Sequence, residues 1–410
     1  MYDVLAGMRV IEGASFIAAP SCCLHLVQMG AEVIRFDTIG GGPDRNRWPV
    51  APNGASLYWE GLNKGKKSIA LDLSRPEGRE LAAALITLPS GGGAQPAGGL
   101  FVTNFPADGF LSHARLVKRR PDLITLRVMG WASGATAIDY TVNAATGYPL
   151  MTGPRDAQGP VNHVLPAWDL LTGAYAAFAL MAAERHRGGT GQGQEIRVPL
   201  GDVAIATMGN LGQIAEVSIG GADRPRLGND LFGAFGRDFQ TADGSMIMIV
   251  AITRRQWTGL LAALEIGPAI TALENELAVA FETGEVIRFQ HRERLFPIVA
   301  AAVAGLHLTE IANRFGGQGV CWDRYQGAKQ AVESDSRWTA NPILSGVAHP
   351  SGHEYLTPGA AATLSASSRR APGRAPRLGE HTYEVLATLL GLPDHEIARL
   401  HDGGVVSAAD

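Results

Sequence analysis

Short apolar runs rich in β-branched residues alternate with stretches of helical periodicity through the first third of the chain. The runs are MRVIEG, EVIRFD, SIALDL, GLFVTNF and LITLRVMG, and helical patterns lie between them over about Ala18 to Met29, Pro76 to Leu88 and Phe110 to Arg119. Strand–helix alternation of this kind predicts a parallel sheet covered on both faces, with right-handed crossovers. The fold class expected is α/β, with a Rossmann-like large domain.

After Trp168 the stretch DLLTGAYAAFALMAAERHR carries Leu, Ala and Phe at helical spacing and stops on Gly188-Gly189, which predicts a long, mostly buried helix. GDVAIATMGNLGQIAEV reads as another. From about Arg224 the pattern changes: RPRLGNDLFGAFGRDFQTADGSMIMIVAI reads as a glycine-broken loop feeding a hairpin, its turn at Ala242-Asp243-Gly244. Three segments follow: residues 1–224 as the first part of a large domain, 225–330 as a smaller α+β domain, and 331–410 as a tail. The tail has strand-like stretches near Val347 and Tyr355, then two short helices split at Gly391 to Pro393. Its apolar faces predict packing back on the large domain. Ser90 to Gly99 (SGGGAQPAGG) reads as a surface excursion without chemistry.

Composition bounds the function. A chain of 410 residues, 46% hydrophobic and 18% charged, suffices for two cores. The net charge of −4, from 35 Lys+Arg against 39 Asp+Glu, offers no basic field for a phosphate backbone, so no nucleic-acid partner is expected. No apolar run reaches the roughly 18 residues of a membrane span, and the start MYDVLAGMRVIEG has Asp3 and no long apolar core. A cytoplasmic protein without a membrane partner is expected. Cys22, Cys23 and Cys321 form neither a disulfide framework nor a CxxC pattern and read as small buried thiols.

Most familiar motifs fail on spacing. GLNKGKKS has three residues between its glycines where a phosphate loop needs four, and a second lysine where the hydroxyl belongs; Lys64, Lys66 and Lys67 nonetheless form a local cluster suited to a phosphate-bearing ligand. GGGPDRNRWP lacks the G-x-G-x-x-G spacing of a dinucleotide site. There is no G-x-S-x-G elbow and no H-E-x-x-H, and the histidines are scattered, so no metal is expected. His186, in the Arg-rich end of a helix, reads as a solvated side chain complementing the dipole. The carboxylate that remains is Asp169 in VNHVLPAWDLLTGAYAAF, at the start of the long helix. Two readings stand: a helix N-cap, for which Asp is a preferred residue, or a nucleophile aimed into a pocket at an activated acyl carbonyl.

A set of collinear strings bears on that choice. LAGMRVIEGASFIAAP…MGAEVIRFD, NKGKKSIALDL, VTNF, TGQGQEIRVPLGD and RLGEHTYEVL resemble, in order over most of the chain, the class III (CaiB/BaiF) CoA-transferases. The resemblance implies that Asp169 is a catalytic nucleophile, that Asn104 and Phe105 meet the adenine end of CoA, and that Arg35 with the Lys64, Lys66 and Lys67 cluster lies near its phosphates. Phe16 and Leu71 join the implied coenzyme-binding set. The family often has a basic residue where Thr38 stands and a polar one at Ile17. It also implies two intertwined, ring-like subunits, hence a homodimer, and no cofactor beyond the CoA carried by the substrate. VIRFDTIGGGPDRNRWPV, DYTVN, MTGP, VNHVLPAWD, GADRPRLGN and GNDLFGAFGRDF look like the mesaconyl-CoA isomerase branch, which moves CoA between the two carboxyls of mesaconate. The implied substrate is an acyl-CoA thioester of a small dicarboxylic acid.

That chemistry requires exclusion of water from a reactive acyl intermediate. Gly228, Gly233 and Gly236 are candidates for bringing N–H donors close to an oxyanion, or form an ordinary turn. Arg45, Arg47 and Arg237 are candidates for pairing the distal carboxylate, or sit on the surface. His163 and Trp168 flank the nucleophile and line an acyl pocket or serve packing. Alternatives within reach of the sequence are an intermolecular CoA-transferase, a 2-methylacyl-CoA racemase and a noncatalytic CoA-binding protein.

Overall fold

The five strands expected in the first third of the chain lie in one sheet, and the order in which they do so places the site. The computed structural model describes residues 1–89 and 98–409, so most of the Ser90–Gly99 excursion lies outside the described residues. The chain divides into two compact units: Met1–Thr146 with His163–Gly220 and Ala340–Asp410, and Gly147–Asn162 with Gly221–Thr339. The stretch Gly147–Asn162 had no separate place in the sequence reading.

In the first unit, strands β1 (Arg9–Gly13), β2 (Glu32–Asp37), β3 (Lys67–Leu71), β4 (Leu100–Thr103), β5 (Ile124–Met129) and β6 (Glu195–Pro199) are joined by the closing strand Val406–Ser407. The order is closing strand, β3, β2, β1, β4, β5, β6. Every pair is parallel except that of the closing strand with β3. The order reverses at β1, so the carboxyl ends of β1 and β4 border a topological switch point, where open α/β sheets hold ligands. Ile11, Ile34, Phe36, Ile69, Leu71 and Phe101 are buried in this sheet. Val385, Leu386, Ile397 and Leu400, from the C-terminal helices Thr382–Leu389 and Asp394–Asp402, belong to the same core.

The sequence reading missed β6 and the closing strand. In β6 only Val198 and Pro199 are buried, as suits an edge strand paired on one side, and the closing strand is two residues long. Neither carries a readable period. The helix expected over Phe110 to Arg119 is reduced to His113–Leu116. Gly109, left-handed at φ +88°, precedes it, and Pro121 disfavours helical backbone at Arg120.

The helix Ala167–Thr190 packs along Ala18–Gln28 through Gly173. A Cβ there would lie 1.9 Å from Ser21 Oγ and 2.7 Å from the Ala18 carbonyl oxygen. Alanine is the better helix former by about 1 kcal/mol, but overpacking against backbone costs about 1–3 kcal/mol. Gly173→Ala is therefore expected to lower the urea midpoint; an unchanged or raised midpoint would contradict this packing.

The second unit carries an antiparallel sheet, β7 (Phe235–Gln240), β8 (Met246–Ala251) and β9 (Cys321–Arg324), in that order. Asp243 and Gly244 form the β7–β8 turn, with the Thr241 N–H donating to the Ser245 carbonyl at 2.9 Å. Phe235, Trp257, Phe281, Val299 and Ile311 centre its core. Arg226 ties Gly147–Asn162 to this unit by donating to the carbonyls of Pro149, Ala157 and Gly159. Cys22 and Cys23 are buried, but Cys321 is exposed, because it sits on the outer strand β9. Among the described residues no single helix is long and apolar enough to cross a membrane.

Candidate functional site

Asp169 lies in the first turn of Ala167–Thr190 but does not cap it. The capping oxygen comes from Asp139, at the start of the helix Asp139–Ala145: its Oδ2 accepts the backbone N–H groups of Trp168 at 2.7 Å and Asp169 at 3.1 Å. Asp139 is 1% exposed. Its other oxygen, Oδ1, lies 2.9 Å from His163 Nε2. The Asp169 carboxyl is thereby relieved of capping, and among the described residues it makes no hydrogen bond of its own. Burial first, and the negative charge of Asp139 second, push its pKa up to about 7, against the opposing charge of Arg47.

Around Asp169 the first unit gathers an aromatic and cationic group. The Arg47 guanidinium sits 5.7 Å from the Phe16 ring centre and 5.5 Å from that of Tyr58. The Tyr58 hydroxyl is buried without a hydrogen-bond partner among the described residues. Burial holds its phenol well above the usual range, with the nearby carboxylates of Asp44 and Asp169 adding to the shift. Phe16, in the loop that follows β1, has a left-handed φ of +71°, which a bulky residue adopts only where its surroundings impose it. Those surroundings are specific: Asp44 Oδ2 accepts the Phe16 N–H at 3.0 Å, and Asn104 clamps Ser15 by accepting its N–H at 3.2 Å and donating to its carbonyl at 2.9 Å.

The residues expected at the coenzyme have partners within the chain. Arg35 is 1% exposed, its guanidinium bound by Asp37 at 2.8 Å and Asp44 at 3.0 Å, with Glu12 at 3.3 Å. Lys66 is buried 2.7 Å from Glu12. Lys67 bridges Glu32 and Glu384, each at 2.8 Å. Lys64 donates to the Gly61 carbonyl at 2.7 Å, and burial, then Lys66, pushes its pKa down to about 8. Each of these cations has a partner within the chain, Arg35, Lys64 and Lys66 buried and Lys67 partly exposed. Leu71 is fully buried in β3, and Phe105 packs on Phe36 with ring centres 6.1 Å apart. The Asn104 amide is occupied by Ser15.

Of the acyl-pocket candidates, Trp168 is buried and donates its indole N–H to Asn143 at 3.2 Å, a packing arrangement, while His163 pairs with Asp139. Arg45 lies 6.0 Å from the Trp59 ring centre. Gly228 and Gly233, left-handed at φ +63° and +81°, Gly236 in β7, and Arg237 belong to the second unit. There Arg237 lies 3.7 Å from buried Asp230, which Arg292 approaches to 3.4 Å and Arg155 also meets. The sequence reading missed Asp139 and Tyr58. Asp139 opens the string DYTVN, but nothing local signals that it caps a helix starting far downstream.

The chain matches the family model described as CoA-transferase family III over residues 5–382. It is 45% identical to a protein of Chloroflexus aurantiacus named 2-methylfumaryl-CoA isomerase, covering 100% of this chain and 99% of that one. It is 28% identical to the succinyl-CoA–D-citramalate CoA-transferase of the same organism, over 98% of both. A CAIB/BAIF family protein from Brucella suis shares the fold, with a TM-score of 0.76 at 22% identity over 95% of this chain and 100% of that one. The chain is an enzyme of CoA-transferase family III.

Proposed function

We propose that this enzyme converts 2-methylfumaryl-CoA to 3-methylfumaryl-CoA by moving CoA between the two carboxyls of mesaconate, through a thioester on Asp169. The observation that carries the reading is the Asp169 carboxyl itself, half-buried at a helix start and released from capping by Asp139. The full-length identity to the 2-methylfumaryl-CoA isomerase supports the choice of substrate.

The Asp169 carboxylate attacks the thioester carbonyl, the C–S bond breaks, and a mixed anhydride and CoA thiolate result. The thiolate attacks the aspartyl carbonyl, giving the aspartyl-CoA thioester and free dicarboxylate. The other carboxylate then attacks this thioester, and the same steps run in reverse. No proton is gained or lost, and each thioester replaces another. Arg47, the cation nearest Asp169 in its electrostatics, is suited to hold the idle carboxylate of the acyl group. CoA arrives with the substrate, and no further cofactor is invoked.

A homodimer and a cytoplasmic location belong to the same reading. Leu171, Tyr175 and Phe178 on the helix of Asp169, with Ile205, Leu211 and Ile219 beyond it, are exposed large apolar side chains that a second copy would cover. The deciding experiment supplies unlabelled 2-methylfumaryl-CoA with ¹³C-labelled free mesaconate. Intramolecular transfer is expected to yield 3-methylfumaryl-CoA without label; label equilibrating into product would overturn it in favour of transfer between molecules.

A further inference from the structure

Three buried carboxylates, Glu12, Asp37 and Asp44, pair with two buried cations, Arg35 and Lys66, around the carboxyl ends of β1 and β2. Two carboxylates would balance these cations. Asp37 takes the fork of the Arg35 guanidinium, its Oδ2 accepting from Nε and its Oδ1 from Nη2 at 2.8 Å each, and Glu12 lies 2.7 Å from Lys66. Asp44, 1% exposed and on the loop beyond β2, is the surplus charge. Burying a charge beyond those that its partners balance is costly, so a counter-ion role alone does not account for it.

Asp44 makes bonds that the other two carboxylates do not. Arg35 Nη2 donates to both of its oxygens, at 3.0 and 3.2 Å, and Oδ2 accepts the Phe16 N–H at 3.0 Å, so β2 fixes the carboxylate and the carboxylate fixes the left-handed Phe16. Its backbone carbonyl accepts the Arg47 N–H at 3.2 Å, and the Ser56 hydroxyl donates to the Arg47 carbonyl at 2.5 Å. Arg47 itself is exposed, with its guanidinium over the rings of Phe16 and Tyr58. A long, exposed arginine keeps one orientation only where its backbone and the surfaces it stacks on are themselves held. Asp44 holds one of each: the Arg47 backbone and the Phe16 ring.

We propose that Asp44 is a positioning residue for the reaction, holding Phe16 and Arg47 beside Asp169 through its bonds to their backbone N–H groups. Buried as it is, Asp44 meets no substrate and acts through Arg47. That Arg47 serves the acyl group's carboxylate rests on the function proposed above; that Asp44 fixes the loop does not.

Asp44→Ala is expected to lower kcat/KM about 10–100-fold, the scale that follows from a misplaced group. The sign of a pH shift identifies the cause. Loss of a negative charge alone would move the acid limb of kcat/KM, set by Asp169, to lower pH, whereas displacement of Arg47, the cation that lowers the Asp169 pKa, moves it to higher pH. The shift to higher pH is the expected result. Asp44→Asn keeps an oxygen for the Phe16 N–H and should recover part of both effects, so it also reads the proposal should the Ala variant not fold. Asp37→Asn takes a carboxylate from the same guanidinium but spares the Phe16 acceptor, and should leave the limb in place. Hydrogen–deuterium exchange of the peptides carrying Phe16 and Arg47, read without turnover, should quicken in Asp44→Ala and not in Asp37→Asn. A limb that stays or moves to lower pH in Asp44→Ala, an equal shift in Asp37→Asn, or unchanged exchange at Phe16 would each overturn the proposal. Quickened exchange at Phe16 in an enzyme whose wild type forms no thioester on Asp169 would leave Asp44 its hold on the loop and sink the proposed function instead.

Discussion

Asp169→Asn is expected to lower kcat/KM for CoA transfer at least about a thousandfold, the range that follows removal of a covalent nucleophile. The amide keeps the shape of the side chain but cannot form the anhydride, so the hydroxylamine-sensitive thioester that the wild-type enzyme forms with substrate should also vanish. A loss below tenfold, or a trapped thioester persisting in the variant, would refute covalent catalysis at this position. The fold itself should benefit. Asp169 has its pKa raised from 3.8 to about 7, foremost by burial. A group with a raised folded-state value contributes stability that is fully present below the unfolded value and is lost as pH rises through the folded one. Asp169→Asn should therefore stabilise the protein at pH 8 on the order of a few kcal/mol and leave it nearly unchanged near pH 4. Loss of activity with gain of stability separates a nucleophile held at a cost from a structural carboxylate, whose removal would lower both.

How much of this could be read along the chain depends on how far apart the interacting residues lie. Strands β1 to β5 were legible because each is a buried run whose apolar character is local; β6 was not, because an edge strand buries only its end. The lysines of NKGKK were visible as a cluster, but the carboxylates that neutralise Lys66 and Lys67 arrive from Glu12, Glu32 and Glu384, on β1, β2 and a C-terminal helix. Clustering is a property of sequence, whereas availability is a property of packing. The same holds for Arg35: Asp37 is its neighbour on β2, but Glu12 and Asp44 are brought in by the sheet and the following loop. Asp169 was recognisable as either a cap or a nucleophile. What separates the two is the carboxylate of Asp139, thirty residues earlier, which takes the capping position itself.

Asp139 should accordingly matter nearly as much as the residue it serves. It does two things to Asp169: it holds the first turn by accepting two backbone N–H groups, and its charge raises the carboxyl's pKa. Asp139→Ala removes both, leaving Trp168 N–H and His163 without their buried acceptor; a lost cap costs about 1 kcal/mol, and an orphaned buried donor a further 1–3 kcal/mol. A fall in kcat of about 10–100-fold, with KM changed much less, is expected if the nucleophile's orientation is what suffers. Asp139→Asn separates the two functions, because its amide oxygen still accepts at the helix start while the charge is gone. The attacking form of Asp169 is the carboxylate, so wild-type kcat/KM should rise with pH through about 7. In Asp139→Asn the carboxylate is no longer repelled, the pKa of Asp169 falls, and the acid limb of the profile should move to lower pH while kcat stays above that of the Ala variant. A limb that stays in place in Asp139→Asn, with kcat in both variants equal to wild type, would reduce Asp139 to a bystander and leave the raised pKa of Asp169 to burial alone.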